Sequence, residues 1–219
     1  MRFHLCSPMQ SEHVHLSIPL YRGPLARYYV MQAEMVILVV VVFLIAGGVK
    51  GVIGFGLPTI SITIIAAVVG LIEAMALMVL PSLVTNIWQG VTGGKLRYLV
   101  RRLWFALLLG AVSTWMTSSL LATGEVLPFT IFLGVVICIY SISNLRSITF
   151  PSPGKNETWL SPVVGAVSGA ITGITGVFVM PAVVYLQSLR MPRDVLVQAM
   201  GIWFTVATIS LGLSLSSYG

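Results

Sequence analysis

The sequence predicts an all-α polytopic membrane protein with an internal repeat, broken helices and an incomplete second repeat. Three observations carry that prediction: scarce charge, long uncharged runs, and a glycine–proline break that occurs twice. Of 219 residues, 57% are hydrophobic and 8% are charged, against roughly 25% charged in soluble domains. Mean hydropathy is +1.00. Uncharged runs cover residues 35–49, 51–72, 74–94, 103–124, 126–145, 158–189 and 195–219. Most of them match the roughly 20 residues that cross a bilayer as a helix. This composition excludes a soluble enzyme, a nucleic-acid-binding module and a secreted disulfide scaffold. The net charge of +6 reads as cytoplasmic loop cations, not as an acidic partner.

The elements follow in order. Residues 1–32 carry all three histidines, Arg2, Arg22 and Arg27; they read as a disordered N-terminal arm or an upstream extension, with Met31 and Met35 as alternative starts. The first repeat occupies 33–145, with helices over 35–55, 58–71, 74–94, 103–123 and 126–145. Pro58 suits the first position of its helix. A linker at 146–158 contains two prolines and a glycine and reads as cytoplasmic. The second repeat, 159–219, has helices over 159–175 and 195–217, with a short one opening at Pro181. Cys6 and Cys138 do not read as a disulfide pair; Cys138 reads as a small buried hydrophobe.

The repeat rests on matching segments. Gly47-Gly-Val-Lys-Gly-Val-Ile-Gly-Phe-Gly-Leu-Pro58 corresponds to Gly165-Ala-Val-Ser-Gly-Ala-Ile-Thr-Gly-Ile-Thr-Gly-Val-Phe-Val-Met-Pro181, and Glu73-Ala-Met75 to Gln198-Ala-Met200. A complete second repeat would run to roughly residue 280, so the chain reads as cut short or as needing a partner chain. Lys95, Arg97, Arg101 and Arg102 place one loop in the cytoplasm, and Glu125 places the next outside. If the short helices span, the repeats are inverted; if they re-enter, the repeats are parallel. The ordered loop charges favour the inverted form.

The chemistry concentrates at the breaks. Glycine and proline free backbone groups that are costly in hydrocarbon unless protein or a cavity satisfies them. Two breaks at matching places point to a transport site, and the amides at 56–59 and 179–182, at helix N-termini, suit an anion. The competing reading is close helix packing by small residues. Lys50 lies beside the first break as an intramembrane cation; the alternative is snorkelling to the headgroups. The substrate-binding residues expected are Lys50, Gly51, Gly54, Phe55, Gly56, Pro58, Thr59, Asn86, Gln89, Gly173, Thr175, Gly176 and Pro181. Glu73 is the coupling candidate, though a carboxylate near a helix N-terminus is the simpler reading. Asn86 and Gln89 bind substrate or join helices. Trp104, Trp159 and Tyr98 read as interfacial anchors. No metal-ligand set, nucleophile elbow or phosphate loop is present, so neither an enzyme nor a cofactor is expected.

On the doubled break, the Glu73-Ala-Met-Ala76 and Gln198-Ala-Met200 segments and Pro81-Ser-Leu-Val-Thr-Asn-Ile-Trp-Gln89, the chain resembles the TauE/SafE family over about residues 33–219. The resemblance implies a multi-pass permease of the bacterial inner membrane that exports small anions such as sulfite or a sulfonate. It departs from the family in the longer spacing from Gly173 to Pro181 and in the absence of the last helices. The alternative is a non-transporting, partner-dependent membrane subunit. The partners implied are a small anionic substrate and the lipid bilayer, with a second copy or a partner chain, and no nucleic acid.

Overall fold

Apolar length and glycine stops set the elements. The computed structural model describes residues 24–145, 151–178 and 181–218. Helices are α1 (Pro24–Ile53), α2 (Leu57–Val69), α3 (Leu71–Val91), α4 (Leu96–Thr123), α5 (Val126–Leu145), α6 (Glu157–Thr175), α7 (Ala182–Ser188) and α8 (Arg193–Tyr218), with a 3-10 turn at Gly154–Asn156. Among the described residues there is no strand. Residues Met1–Leu38 and Val39–Gly219 form separate packing units; the helix packing and the cavities belong to the second. Six helices, α1, α3, α4, α5, α6 and α8, are long and apolar enough to cross a membrane. At 13 and 7 residues, α2 and α7 are about 20 and 10 Å long, short of a roughly 30 Å hydrocarbon core.

The boundaries differ from the sequence expectation where polar residues remain helical. α1 starts at Pro24, inside the expected arm, and residues 1–23 lie outside the described ones. α4 starts at Leu96 instead of 103, because arginine is a good helix former and Arg102 finds partners there. α3 ends at Val91, before Gly93 (φ +121°) and Gly94 (φ +74°). α6 runs unbroken through Gly169 and Gly173 to Thr175, so those two glycines do not interrupt it. Cys138 is exposed on α5. That overturns its reading as buried: α5 packs sparsely among the described residues, chiefly against α6.

Side-chain pairs give the helix directions. Lys50 meets Thr85 and Asn86, and Gly54 meets Gln89, so α1 and α3 run the same way. Val79 faces Gly212, and Gly90 faces Gln198, so α8 opposes α3. Ala106, Gly110 and Thr114 of α4 pack against Gly165, Gly169 and Gly173 of α6, so these two are parallel. Ala111 and Ser118 of α4 bond Ser210 and Ser214 of α8, which makes α8 parallel to both. Two long–short–long triplets, α1–α3 and α6–α8, therefore run in opposite senses.

One consequence is charge segregation. Lys95, Arg97, Arg101, Arg102, Lys155, Arg190 and Arg193 gather at the end where α1 and α3 finish and where α4, α6 and α8 begin. Glu157 and Asp194 lie among these cations in the first turns of α6 and α8, whereas Glu73 and Glu125 lie at the other end. Between the ends, a core around Met75, Met78, Leu103, Phe178, Leu186 and Phe204 is closed to solvent. Small residues on every fourth position let α4 and α6 approach backbone to backbone, the usual way helices associate without a hydrophobic driving force.

Candidate functional site

The first break is built by two glycines that only glycine could supply cheaply. Gly54 (φ +92°) ends α1 and Gly56 (φ +108°) precedes α2; both conformations are left-handed, where a Cβ clashes with the backbone. Pro58 occupies the first turn of α2, where its missing N–H costs nothing. The turn leaves Lys50 one helical turn from the end of α1.

Lys50 is 6% exposed and is therefore not snorkelling. Its Nζ donates to Thr85 Oγ1 at 2.9 Å and to Asn86 Oδ1. Asn86 passes the polarity on, donating from Nδ2 to Thr208 Oγ1 on α8 at 3.2 Å. Gln89 uses both amide hydrogens, donating to Gly54 O at 2.7 Å and to Val197 O at 2.8 Å. An ammonium carries three donors; two are used, and among the described residues no carboxylate pairs with Lys50. Lys50 lines a cavity of about 760 Å³ with Gly47, Gly51, Gly54, Thr85, Gln89 and Thr92, and with apolar Val84, Ile87, Trp88, Val91 and Val197. The cavity thus sets one cationic donor against a largely apolar wall, with the Thr85 and Thr92 hydroxyls donating to Pro81 O and Trp88 O, both at 2.9 Å.

Residues 39–219 match the family model described as sulfite exporter TauE/SafE. The chain belongs to that family. No curated protein and no solved structure matches it.

Within this TauE/SafE chain, the structure brings only some of the expected residues together. Lys50, Gly51, Gly54 and Gln89 line one cavity, with Asn86 bonded behind Lys50. Phe55 packs against the core, and Pro58 is buried. The Thr59 hydroxyl is buried with no hydrogen-bond partner; neither Gly56 nor these three lines the Lys50 cavity.

The second break lies elsewhere. Gly173 is inside α6 against Thr114 and Thr117. Thr175 donates to Ile171 O at 2.6 Å and accepts from the Val177 amide at 3.2 Å, and Gly176 (φ +69°) caps the helix against Ile62 and Met75. Pro181 precedes α7 and lines a separate cavity with Tyr185 and Ser188. Val179 and Met180, and hence part of the expected 179–182 amide set, lie outside the described residues.

Glu73 is exposed in the first turn of α3 and makes no capping bond. At 1.5 Å per residue it is about 20 Å along α3 from Asn86. Its repeat counterpart Gln198 is buried, accepting from the Lys95 amide and donating to Gly90 O, both at 2.9 Å. Sequence reasoning passed over Thr85, Thr208 and Val197. Thr85 could have been found, since it shares a face with Gln89 four residues on; Thr208 and Val197 enter only through the packing of α3 on α8.

Proposed function

We propose that this family member moves a small anion, such as sulfite or a sulfonate, out across the bacterial plasma membrane, with Lys50 as its counter-charge. The observation that carries this is a buried ammonium with one unused donor facing a cavity and no carboxylate beside it. An intramembrane charge costs at least about 2.5–3.5 kcal/mol, and an anion in the cavity would offset that cost. Thr85 and Gln89 on the same wall hold Lys50 and the end of α1 in place, since the Thr85 hydroxyl donates to Pro81 O at 2.9 Å and both Gln89 amide hydrogens are committed.

The opposed triplets support a reading of residues 33–145 and 159–219 as inverted repeats joined by a 146–158 linker. The cationic end then lies in the cytoplasm, and the Lys50 cavity sits in the cytoplasmic half of the helices, off the midplane. Release outward requires the α1–α3 and α6–α8 triplets to shift relative to one another.

Sulfite and sulfonate flux in proteoliposomes tests the assignment. Lys50→Met keeps the volume and removes the charge, and should lower flux roughly 10–100-fold, as expected for loss of a charged hydrogen bond. Lys50→Arg should retain part of it. Full flux in Lys50→Met would refute the site.

A further inference from the structure

The cationic end of the helices is explained by membrane orientation, but the convergence of its charges is not. On α4 and the residue before it, Lys95, Tyr98 and Arg102 share one face; Arg97 and Arg101 lie on another. The first face borders a cavity of about 410 Å³ completed by Leu189, Arg190, Met191, Pro192 and Val195. The second turn of α8 is held to the start of α4 through Gln198, which accepts the Lys95 amide at 2.9 Å.

Three donors face this cavity uncommitted. Arg102 is already matched, with Nε and Nη2 on the Glu157 carboxylate at 2.5 and 2.7 Å and Nη1 donating to Tyr98 OH at 2.8 Å. Tyr98 therefore accepts, and its own hydroxyl hydrogen is free to donate. The Lys95 ammonium and the Arg190 guanidinium have no hydrogen bond or ion pair among the described residues. Neither Glu157 nor Asp194 lines the cavity.

Arg190 is also the single described non-glycine residue with positive φ, at +50°. It follows a helix end, where glycine is the usual occupant. A side chain kept in a disfavoured backbone conformation at a cavity rim is a pointer to function.

We propose that this cavity binds a phosphate-bearing anion, either the headgroup of an anionic phospholipid or a soluble phosphate ester. Lys95 and Arg190 supply the charge, and Tyr98 supplies a third hydrogen bond to the phosphate oxygens. Leu189, Met191, Pro192 and Val195 give an apolar wall suited to a glycerol or acyl segment. The position at the polar end of spanning helices is the level of lipid phosphates. This site shares no lining residue with the Lys50 cavity and stands whether or not Lys50 binds a transported anion.

The test uses the purified, delipidated full chain, titrated with phosphatidylglycerol, with phosphatidylethanolamine of the same acyl chains, and with glycerol 1-phosphate. Binding is read by native mass spectrometry and by the shift in Tm. Phosphatidylglycerol should bind more tightly than phosphatidylethanolamine. The pair Lys95→Ala with Arg190→Ala should weaken it roughly tenfold or more, at about one lipid-facing cation's worth per residue. The pair Arg97→Ala with Arg101→Ala, which removes the same charge, should weaken it by less than about threefold. Binding of glycerol 1-phosphate with the same sensitivity identifies a soluble ester as sufficient; binding of the lipid alone identifies the headgroup.

Arg190→Gly adds a readout that a structural role would not give: the unliganded Tm should hold or rise while binding weakens. Equal weakening by both double variants, or no preference for either net-anionic probe over zwitterionic phosphatidylethanolamine, overturns the proposal.

Discussion

The glycine-rich segments of α1 and α6 look alike in sequence and do opposite things. Over Gly47, Gly48 and Gly51 of α1 there is open space, with nothing within 4 Å of where a Cβ would stand. Gly165, Gly169 and Gly173 of α6 have no such space, because the backbone of α4 at Ala106, Gly110 and Thr114 occupies it. One segment admits a cavity; the other admits a helix. The residue matched to Lys50 in the repeat, Ser168, differs accordingly. Its Oγ accepts the Ala182 amide at 3.0 Å, satisfying the start of α7, where Lys50 instead donates across to α3. Similar glycine spacing thus ends one helix at Ile53 and leaves the other unbroken to Thr175, and the neighbour decides the chemistry.

Substitutions at these positions test that contrast. The largest effect is expected for Gly169→Leu. The added side chain has to displace α4 backbone, so overpacking should cost about 3 kcal/mol or more, read as loss of monodisperse protein and a lower unfolding midpoint. If Gly47→Leu proved equally damaging, the contrast would be false. Next is Gln198→Leu, which leaves the Lys95 amide and the Gly90 carbonyl without their partner. At about 1–3 kcal/mol for buried unsatisfied groups, it should lower thermal stability clearly, while Glu73→Leu at the matched, exposed position should change it little.

Gly54→Ala comes third. Its φ of +92° and a Val197 contact at 3.1 Å predict a loss of about 1–2 kcal/mol, with flux falling because the turn beside Lys50 moves. Smallest is Gly51→Ala, a helical position with free space, expected to be neutral or to stabilise by up to about 1 kcal/mol. Thermal unfolding in one detergent ranks all four.

Much of the fold was legible because hydropathy and charge report directly on bilayer crossing. The fifth helix, Val126–Leu145, has the expected bounds, and the sixth ends at Thr175 as expected. The break at Gly54–Gly56 was legible as well, since glycine twice before proline has few other uses in an apolar run. The extent of α4 was not: Arg97, Arg101 and Arg102 resemble a loop until Glu157 and Tyr98 are seen beside Arg102. Gly169 and Gly173 were misleading as interruptions for a related reason. A glycine every fourth residue fits a packed seam as well as a broken helix, and only the position of α4 separates the two. The Lys50 site was half legible. Its cation stood out by isolation, and Asn86 and Gln89 stood out as amides within an apolar helix, but Thr208 and Val197 become neighbours only through the register of α8 on α3.

Gln89 couples more than it binds. Both hydrogens of one terminal amide are committed, one to the last turn of α1 and one to the first turns of α8. These helices belong to the two triplets of opposite sense, so a single side chain acts as a shear pin between the halves. Any slide that separates the end of α1 from Val197 has to release at least one of those bonds, and a slide that withdraws α3 from both releases the two together. Arg193, donating to Val52 O at 3.1 Å, and Gln198, donating to Gly90 O at 2.9 Å, tie the same two triplets, so resistance to such a slide is shared among several side chains.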